Sequence, residues 1–78
     1  MNTIKLKKKA IPQGVIIYVD GVIDTYTCEY FEKQISKIVA QNHKIIKLNL
    51  LNLKYINSYG ISFLVNLAET LKKQKHEI

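Results

Sequence analysis

The chain has 78 residues, 47% of them hydrophobic, and twelve lysines against six acidic residues give it a net charge of +6. This length allows one domain, spanning residues 1–78, and the hydrophobic content excludes a disordered chain. No apolar run approaches the roughly 20 residues that cross a bilayer, and the N-terminus lacks the apolar block of a secretory signal. We therefore expect a cytoplasmic protein that is not integral to a membrane.

Every basic residue is a lysine. Sequence-specific contacts to bases favour the planar fork of arginine, so this composition weakens a nucleic-acid interpretation. Lysines cluster near both ends of the chain, at Lys5, Lys7, Lys8 and Lys9 and again at Lys72, Lys73 and Lys75. Solvated element ends explain them most simply, but a basic binder of nucleic acid or of an anionic membrane surface stays open as an alternative function.

The first two elements are predicted to be strands. Apolar and lysine residues alternate from Thr3 to Lys7, a pattern that is typical of a half-exposed edge strand. After the turn residues around Pro12, the β-branched run Val15–Val19 predicts a strand that is covered on both sides, or nearly so. The two strands should form an antiparallel hairpin.

A helix is predicted to follow, with Asp24 or Thr25 as its N-cap and Asn42 at its end. One face of this helix is apolar at helical spacing, through Cys28, Phe31, Ile35, Ile38 and Val39. Lys44–Leu50 then reads as a second buried strand. Because a whole helix separates the two buried strands, we expect them to be parallel and joined by a right-handed crossover.

The remaining chain is predicted to cross the sheet edge over residues 51–56 and to end in a helix from about Tyr59 to Lys75, capped by Asn57–Ser58. The predicted fold is therefore α/β, a mixed sheet with helices on one face, in the order β-β-α-β-α. Apolar side chains fill an arc of roughly 200° on the last helix, more than one sheet can cover. We expect its Phe63–Leu67 edge to meet the first helix, a second copy of the chain, a partner or a continuation of the chain.

Residues for catalysis or metal binding are not apparent. Neither His43 nor His76 has a cysteine or carboxylate at a metal-ligand spacing, and the three glycines form no phosphate-binding loop. The lone Cys28 has no histidine nearby in the sequence, and so small a fold offers little room to enclose a substrate. The sequence therefore predicts a protein that is not an enzyme and that has no metal ion and no cofactor.

The turn into the last helix gathers polar side chains and a glycine, at Asn57, Ser58, Tyr59 and Gly60. A helix N-terminus presents free N–H groups and a partial positive charge, which suit a cap, an anion or a phosphorylated side chain. The simplest interpretation of Ser58 is that of an N-cap.

Three motifs in order resemble the STAS family (sulfate transporter and anti-sigma factor antagonist). The apolar strand that leads to Gly21 and Asp24 resembles the family's Gly-x-Leu-Asp stretch, and residues 45–50 resemble its third strand. Residues 56–61 are similar to the Ile-Asp-Ser-Ser-Gly-Leu stretch that opens the following helix. The resemblance runs from about Gly14 to Lys75, and it implies a C-terminally short version of the family's mixed sheet, with helices on one face.

The resemblance also implies a function. Bacterial anti-sigma factor antagonists of this family bind a kinase-type anti-sigma factor, which frees the sigma factor and so regulates transcription. Phosphorylation of the second serine of the Asp-Ser-Ser-Gly stretch disrupts that docking by adding about two negative charges. In this chain Tyr59 stands at the acceptor position, Asn57 replaces the preceding aspartate and Asn49 replaces the aspartate that ends the third strand.

We therefore expect a protein-binding regulatory module that lacks the usual serine switch, with Ser58 as the one remaining serine of the stretch and the candidate phosphorylation site. Its partner-binding surface is predicted to comprise Asp24 and the loop Asn57–Gly60. A scaffold or transporter-associated STAS subunit is the alternative within the family, and a homo-oligomer through Phe63 and Leu67 is a further option.

Overall fold

The computed structural model describes residues 3–73 as four strands and two helices. The element order is β-β-α-β-β-α, which adds one strand to the predicted order. The elements are β1 (Ile4–Ile11), β2 (Gly14–Ile23), α1 (Cys28–Val39), β3 (Ile45–Asn49), β4 (Leu53–Ile56) and α2 (Ser58–Lys73). The predicted end of the last helix at Lys75 lies outside the described residues.

Strand β2 is the centre of the sheet. It pairs antiparallel with β1 from Gly14 to Gly21, which confirms the predicted hairpin. Its other side is shared by two shorter strands, both parallel to it: β3 pairs with residues 14–18 and β4 with residues 21–23. The parallel pairing of β2 with β3 was predicted, and the sheet is mixed as expected.

Strand β4 is where the prediction was wrong, because residues 51–56 were expected only to carry the chain over the sheet edge. The strand is four residues long, and only residues 51 and 52 form the turn that precedes it. So short a strand leaves little periodicity to detect. It is held by its pairing with β2 and by the half-buried side chains of Leu53 and Ile56, which pack against the core.

The core lies between the sheet and the two helices. Phe31, Ile35 and Ile38 of α1 are buried, as the helical spacing predicted. They form one cluster with further buried residues from β2, β3 and α2, namely Val15, Ile17, Val19, Ile23, Ile46 and Leu71. Ile16 and Tyr18 alternate with these β2 residues and are only half-buried. Val15–Val19 was expected to be covered on both sides, or nearly so; the structure buries one side fully and the other by about half, because both helices pack on one face of the sheet.

The wide apolar arc of α2 is partly explained by α1. The rings of Phe31 and Phe63 meet edge to face, with centroids 5.8 Å apart and planes at 78°, an arrangement that aromatic pairs favour. Leu67 also packs against the core. Of the neighbours expected for the Phe63–Leu67 edge, the structure shows the first helix, α1. An oligomer through Phe63 and Leu67 stays a prediction. Ile61 and Val65 of α2, by contrast, are each about half exposed.

Candidate partner-binding site at the start of the last helix

The ends of β2 and β4 bring the predicted site residues to one edge of the sheet. Ile23 and Ile56 are register partners in this parallel pair. The backbone N–H of Asn57 donates a 2.8 Å hydrogen bond to the carbonyl oxygen of Ile23. Asp24 and Asn57 therefore follow neighbouring strand ends, and the sheet ties the turn before α1 to the first residue of the site.

Asn57 is the N-cap of α2. Its side-chain Oδ1 accepts a 2.8 Å hydrogen bond from the N–H of Gly60, three residues further on, which is the usual capping geometry. Ser58 is the first helical residue, its side chain is exposed, and it takes no part in the cap. The interpretation of Ser58 as the cap was therefore wrong, because the amide one residue earlier already binds the N–H group.

The same cap leaves the other half of the Asn57 amide unsatisfied. Because Oδ1 must face the Gly60 N–H, Nδ2 points inward, where it is buried and has no hydrogen-bond partner among residues 3–73. An unpaired buried donor typically costs about 1–3 kcal/mol. An aspartate at this position would present an oxygen in place of this donor, so the asparagine changes both the hydrogen bonding and the charge beneath the site.

Asp24 is bound within its own turn. Its Oδ1 accepts hydrogen bonds from the N–H groups of Tyr26, at 2.9 Å, and Thr27, at 3.1 Å. The hydroxyl of Thr27 accepts the Asp24 N–H at 2.9 Å and donates to the carbonyl of Val22 at 2.7 Å. This reciprocal pair closes a turn over residues 24–27, which fixes the direction in which the chain leaves β2.

That turn delays α1, whose N-cap is Thr27 and not Asp24 or Thr25. Thr27 makes no side-chain cap bond to the helix, because its hydroxyl is directed back at the Asp24 turn and at β2. Sequence reasoning overlooked Thr27, which is buried. The detectable signal was the Asp-x-x-Thr spacing, since a short polar side chain three residues after an aspartate commonly completes such a turn.

The four residues of the loop differ in how much surface they offer. The Tyr59 side chain is 72% exposed and Ser58 is also exposed, whereas Asn57 is half-buried and Gly60 is buried. A Cβ at Gly60 would lie 2.8 Å from Cγ1 of Ile56 and 2.9 Å from Cγ2 of Ile23. Gly60 therefore allows α2 to approach the strand ends closely. It lies buried beneath the exposed residues Ser58 and Tyr59.

The electrostatics of this corner follow from the helix terminus. The first turn of α2 contains no acidic residue, so the partial positive charge of its free N–H groups is not offset by a side chain of that turn. Elsewhere, burial raises the pKa of the Cys28 thiol, and the carboxylate of Glu32 raises it further. Within the described part of the chain, no cluster of three or more histidine, cysteine or acidic side chains could hold a metal ion.

Comparison with known protein families identifies the family of this chain. The sequence pattern of the STAS domain family matches residues 5–78. The chain belongs to the STAS domain family. The family's glycine position also has a structural reason in this STAS domain, because Gly21 has φ +113° and a Cβ there would collide with the carbonyl oxygen of Thr3.

Solved structures similar to this STAS domain include two anti-sigma factor antagonists. An anti-sigma factor antagonist from Mycobacterium paratuberculosis is 23% identical, with a TM-score of 0.85 over 96% of this chain. SpoIIAA, an anti-sigma factor antagonist in its unphosphorylated form, is 19% identical, with a TM-score of 0.72 over 94% of this chain. This STAS domain spans 64% and 65% of those chains, respectively. No curated protein matches it.

Between residues 3 and 73, neither helix combines the length and the apolar character that a membrane span requires.

Proposed function

We propose that this STAS domain is a non-enzymatic regulatory module that binds a partner protein through the exposed start of α2, in the manner of an anti-sigma factor antagonist. The observation that carries the proposal is Tyr59, whose side chain is 72% exposed in the first turn of a firmly capped helix. Large aromatic side chains on rigid elements are frequent energetic centres of protein interfaces. Ser58 and the Asp24 turn complete the proposed surface, and Gly60 shapes it from below.

The proposed partner is a kinase-type anti-sigma factor in the cytoplasm. Two facts support this choice: the chain belongs to the STAS domain family, and the two similar structures described above are anti-sigma factor antagonists. A scaffold or a transporter-associated subunit would use the same surface for a different protein. The helix terminus favours a partner that places a carboxylate or a backbone carbonyl near the free N–H groups of α2.

We further propose that the docking is not switched by serine phosphorylation. Tyr59 occupies the acceptor position, and its hydroxyl extends much farther from the backbone than that of a serine. Ser58 is exposed and has no capping role, but it lies one residue earlier, which turns its side chain about 100° around the helix axis. A kinase site arranged for a serine at position 59 would therefore reach neither hydroxyl.

Binding to the purified anti-sigma factor from the same genome, measured by isothermal titration calorimetry, tests the surface. Tyr59→Glu should weaken the affinity about tenfold or more, because it removes an aromatic contact and places a charge in the interface. Lys37→Gln is the matched control, because it lowers the net charge by the same amount. Lys37 lies in the last turn of the 12-residue helix α1, at the end away from the Asp24 turn. Equal affinity of Tyr59→Glu and wild type, with binding intact, would exclude this surface.

Incubation of the same pair with ATP, followed by mass spectrometry of tryptic peptides, tests the missing switch. We expect no phosphate on Ser58 or Tyr59 and an affinity that is unchanged by the incubation. As a positive control, Tyr59→Ser restores a serine at the acceptor position and should become phosphorylated. Phosphate on Ser58 of the wild-type chain would contradict the switch-free version while leaving the docking surface intact.

A further inference from the structure

The sheet face that the helices do not cover carries a row of lysines. Lys5, Lys7 and Lys9 of β1 are the register partners of Asp20, Tyr18 and Ile16. Side chains of register partners project from the same face of a sheet. Since Val15, Ile17 and Val19 are buried beneath the helices, the alternate residues and their lysine partners project from the other face. We call this the open face.

The open face continues onto β3, where Lys47 is the register partner of Ile16 and Asn49 that of Tyr18. Four lysines therefore share this face with one acidic residue, Asp20. All four lysines are exposed, and among the described residues none of them forms an ion pair. A shallow depression of about 280 Å³ lies on this face beside two of the lysines, bordered by Lys5, Lys7, Tyr18 and Asp20 together with Asn49 and Asn52.

An exposed leucine stands at the rim of this basic surface. Leu51, in the connection between β3 and β4, has 86% of its side chain exposed, and the adjacent Leu50 has 37%. Leu51 borders one surface depression with Asp20 and Lys54, and another with Ile16 and Lys47. It therefore lies beside the open face and not among the helices. An exposed apolar side chain at the edge of a cationic patch is typical of a docking surface. Its burial is favourable if the patch binds an apolar layer whose surface is negatively charged.

We propose that the open face docks peripherally on an anionic lipid surface. Its lysines bind the phosphate headgroups, and Leu51 enters the boundary between headgroups and acyl chains. Lysine attraction to an anionic bilayer is diffuse and does not need the planar geometry of arginine, which this chain lacks. Nucleic acid offers the same phosphates but no apolar layer for Leu51, and an acidic protein segment would need to supply its own apolar pocket.

The docking leaves the proposed partner site free. The helices pack on the opposite face of the sheet, so a membrane on the open face does not cover α2. The two surfaces therefore predict independent binding events. The membrane contact goes beyond the proposed regulatory function, and either proposal can fail without the other.

Co-sedimentation with vesicles of equal parts phosphatidylglycerol and phosphatidylcholine, at low salt, tests the open face. The wild-type chain should bind these vesicles, release them as salt rises, and not bind vesicles of phosphatidylcholine alone. Lys7→Gln and Lys47→Gln should each lower the partition coefficient about fivefold, since each basic residue near an anionic surface contributes roughly that factor. Lys8→Gln is the matched control: it lies in the same strand opposite buried Ile17, on the other face, and should change binding less than twofold.

Three further variants distinguish docking through the open face from an effect of net charge alone or of misfolding. Leu51→Asn should weaken vesicle binding about tenfold, whereas Val65→Asn, a change at a half-exposed apolar residue of α2, should leave it unchanged. Asp20→Asn removes the acidic residue of the open face and should strengthen binding up to fivefold. Circular dichroism melts check that every variant, Asp20→Asn included, keeps the wild-type fold.

Several results would overturn the proposal. They are absence of binding to anionic vesicles, equal binding to neutral ones, or equal losses in Lys8→Gln and Lys7→Gln. Binding of poly-glutamate or of a DNA duplex through the same lysines, without vesicle binding, would assign the open face to an acidic protein or to nucleic acid instead. Tyr59→Ser should bind vesicles as the wild type does.

Discussion

Substitution of Gly21 by alanine should strongly destabilise this protein. Gly21 lies at the irregularity where β2 leaves its ladder with β3 and begins to pair with β4. Its φ of +113° is a backbone conformation that residues with a Cβ rarely adopt, and a Cβ there would lie against the backbone carbonyl of Thr3. Neither problem can be relieved by a side-chain rotation, because both involve the backbone.

The expected magnitude follows from these two terms. A residue held at an unfavourable φ costs about 1–3 kcal/mol, and crowding of a packed site costs about another 1–3 kcal/mol. We therefore expect Gly21→Ala to lower the free energy of unfolding by at least about 2 kcal/mol. A domain of this size is stable by about 4–12 kcal/mol, so the loss is a large fraction of the total and should lower the melting temperature by about 8 °C or more.

Urea unfolding followed by far-UV circular dichroism measures this loss, and Gly60→Ala is its control. Gly60 lies in a helix, and its new Cβ would meet side-chain atoms of Ile56 and Ile23. There the gain of about 1 kcal/mol in helix propensity offsets part of the crowding, so the net loss should be smaller than at Gly21. A Gly21→Ala midpoint equal to that of wild type, or a larger loss at Gly60, would refute the reasoning.

Three further predictions concern the caps, the helix contact and the thiol. Asn57→Ala removes the cap bond to Gly60, worth about 1 kcal/mol, together with the buried unpaired Nδ2 donor, so its net loss in urea unfolding should be no more than about 1 kcal/mol; Ser58→Ala should change stability by less than about 0.5 kcal/mol, and a larger loss at Ser58 than at Asn57 would reassign the cap. Phe63→Ala should cost about 2–4 kcal/mol through lost packing on Phe31, and Phe63→Leu less than about 1.5 kcal/mol; similar losses for both would show that ring packing is not the cause. Alkylation of Cys28 by iodoacetamide should accelerate only at a higher pH than in the urea-unfolded chain, because the raised pKa keeps the thiol protonated; Glu32→Gln should move that profile partly back, and coincident folded and unfolded profiles would contradict the assignment.

The long elements of this fold follow from residue patterns that sequence can show. The apolar spacing of Phe31, Ile35 and Ile38 fixed the inner face of α1, and the β-branched run at Val15–Val19 marked the central strand. What the patterns could not show is which contacts a short segment makes. Four residues at Leu53–Ile56 became a strand because β2 continues past β3 and offers them backbone partners.

The site was predictable as a location but not in its hydrogen bonding. A polar cluster before an apolar helix correctly indicated an N-terminus near Asn57, yet asparagine and serine are both good caps and the sequence does not rank them. The choice depends on where β4 ends, because the bond from Asn57 to Ile23 sets the register of the first helical turn. The delayed start of α1 has a similar cause, since Asp24 and Thr27 complete a turn before any helix can begin.

The end-to-end placement of β3 and β4 along β2 has a consequence for hydrogen exchange. Each of the two short strands is held by its own ladder, and β3 does not depend on β4 for backbone pairing. Local unfolding of β4 should therefore expose its amides to exchange while those of β3 stay protected. The two strands should then behave as separate cooperative units in native-state hydrogen exchange. A partner protein that binds at Tyr59 should slow amide exchange in β4 first. The exchange rates of the β3 amides would then serve as an internal reference for that change.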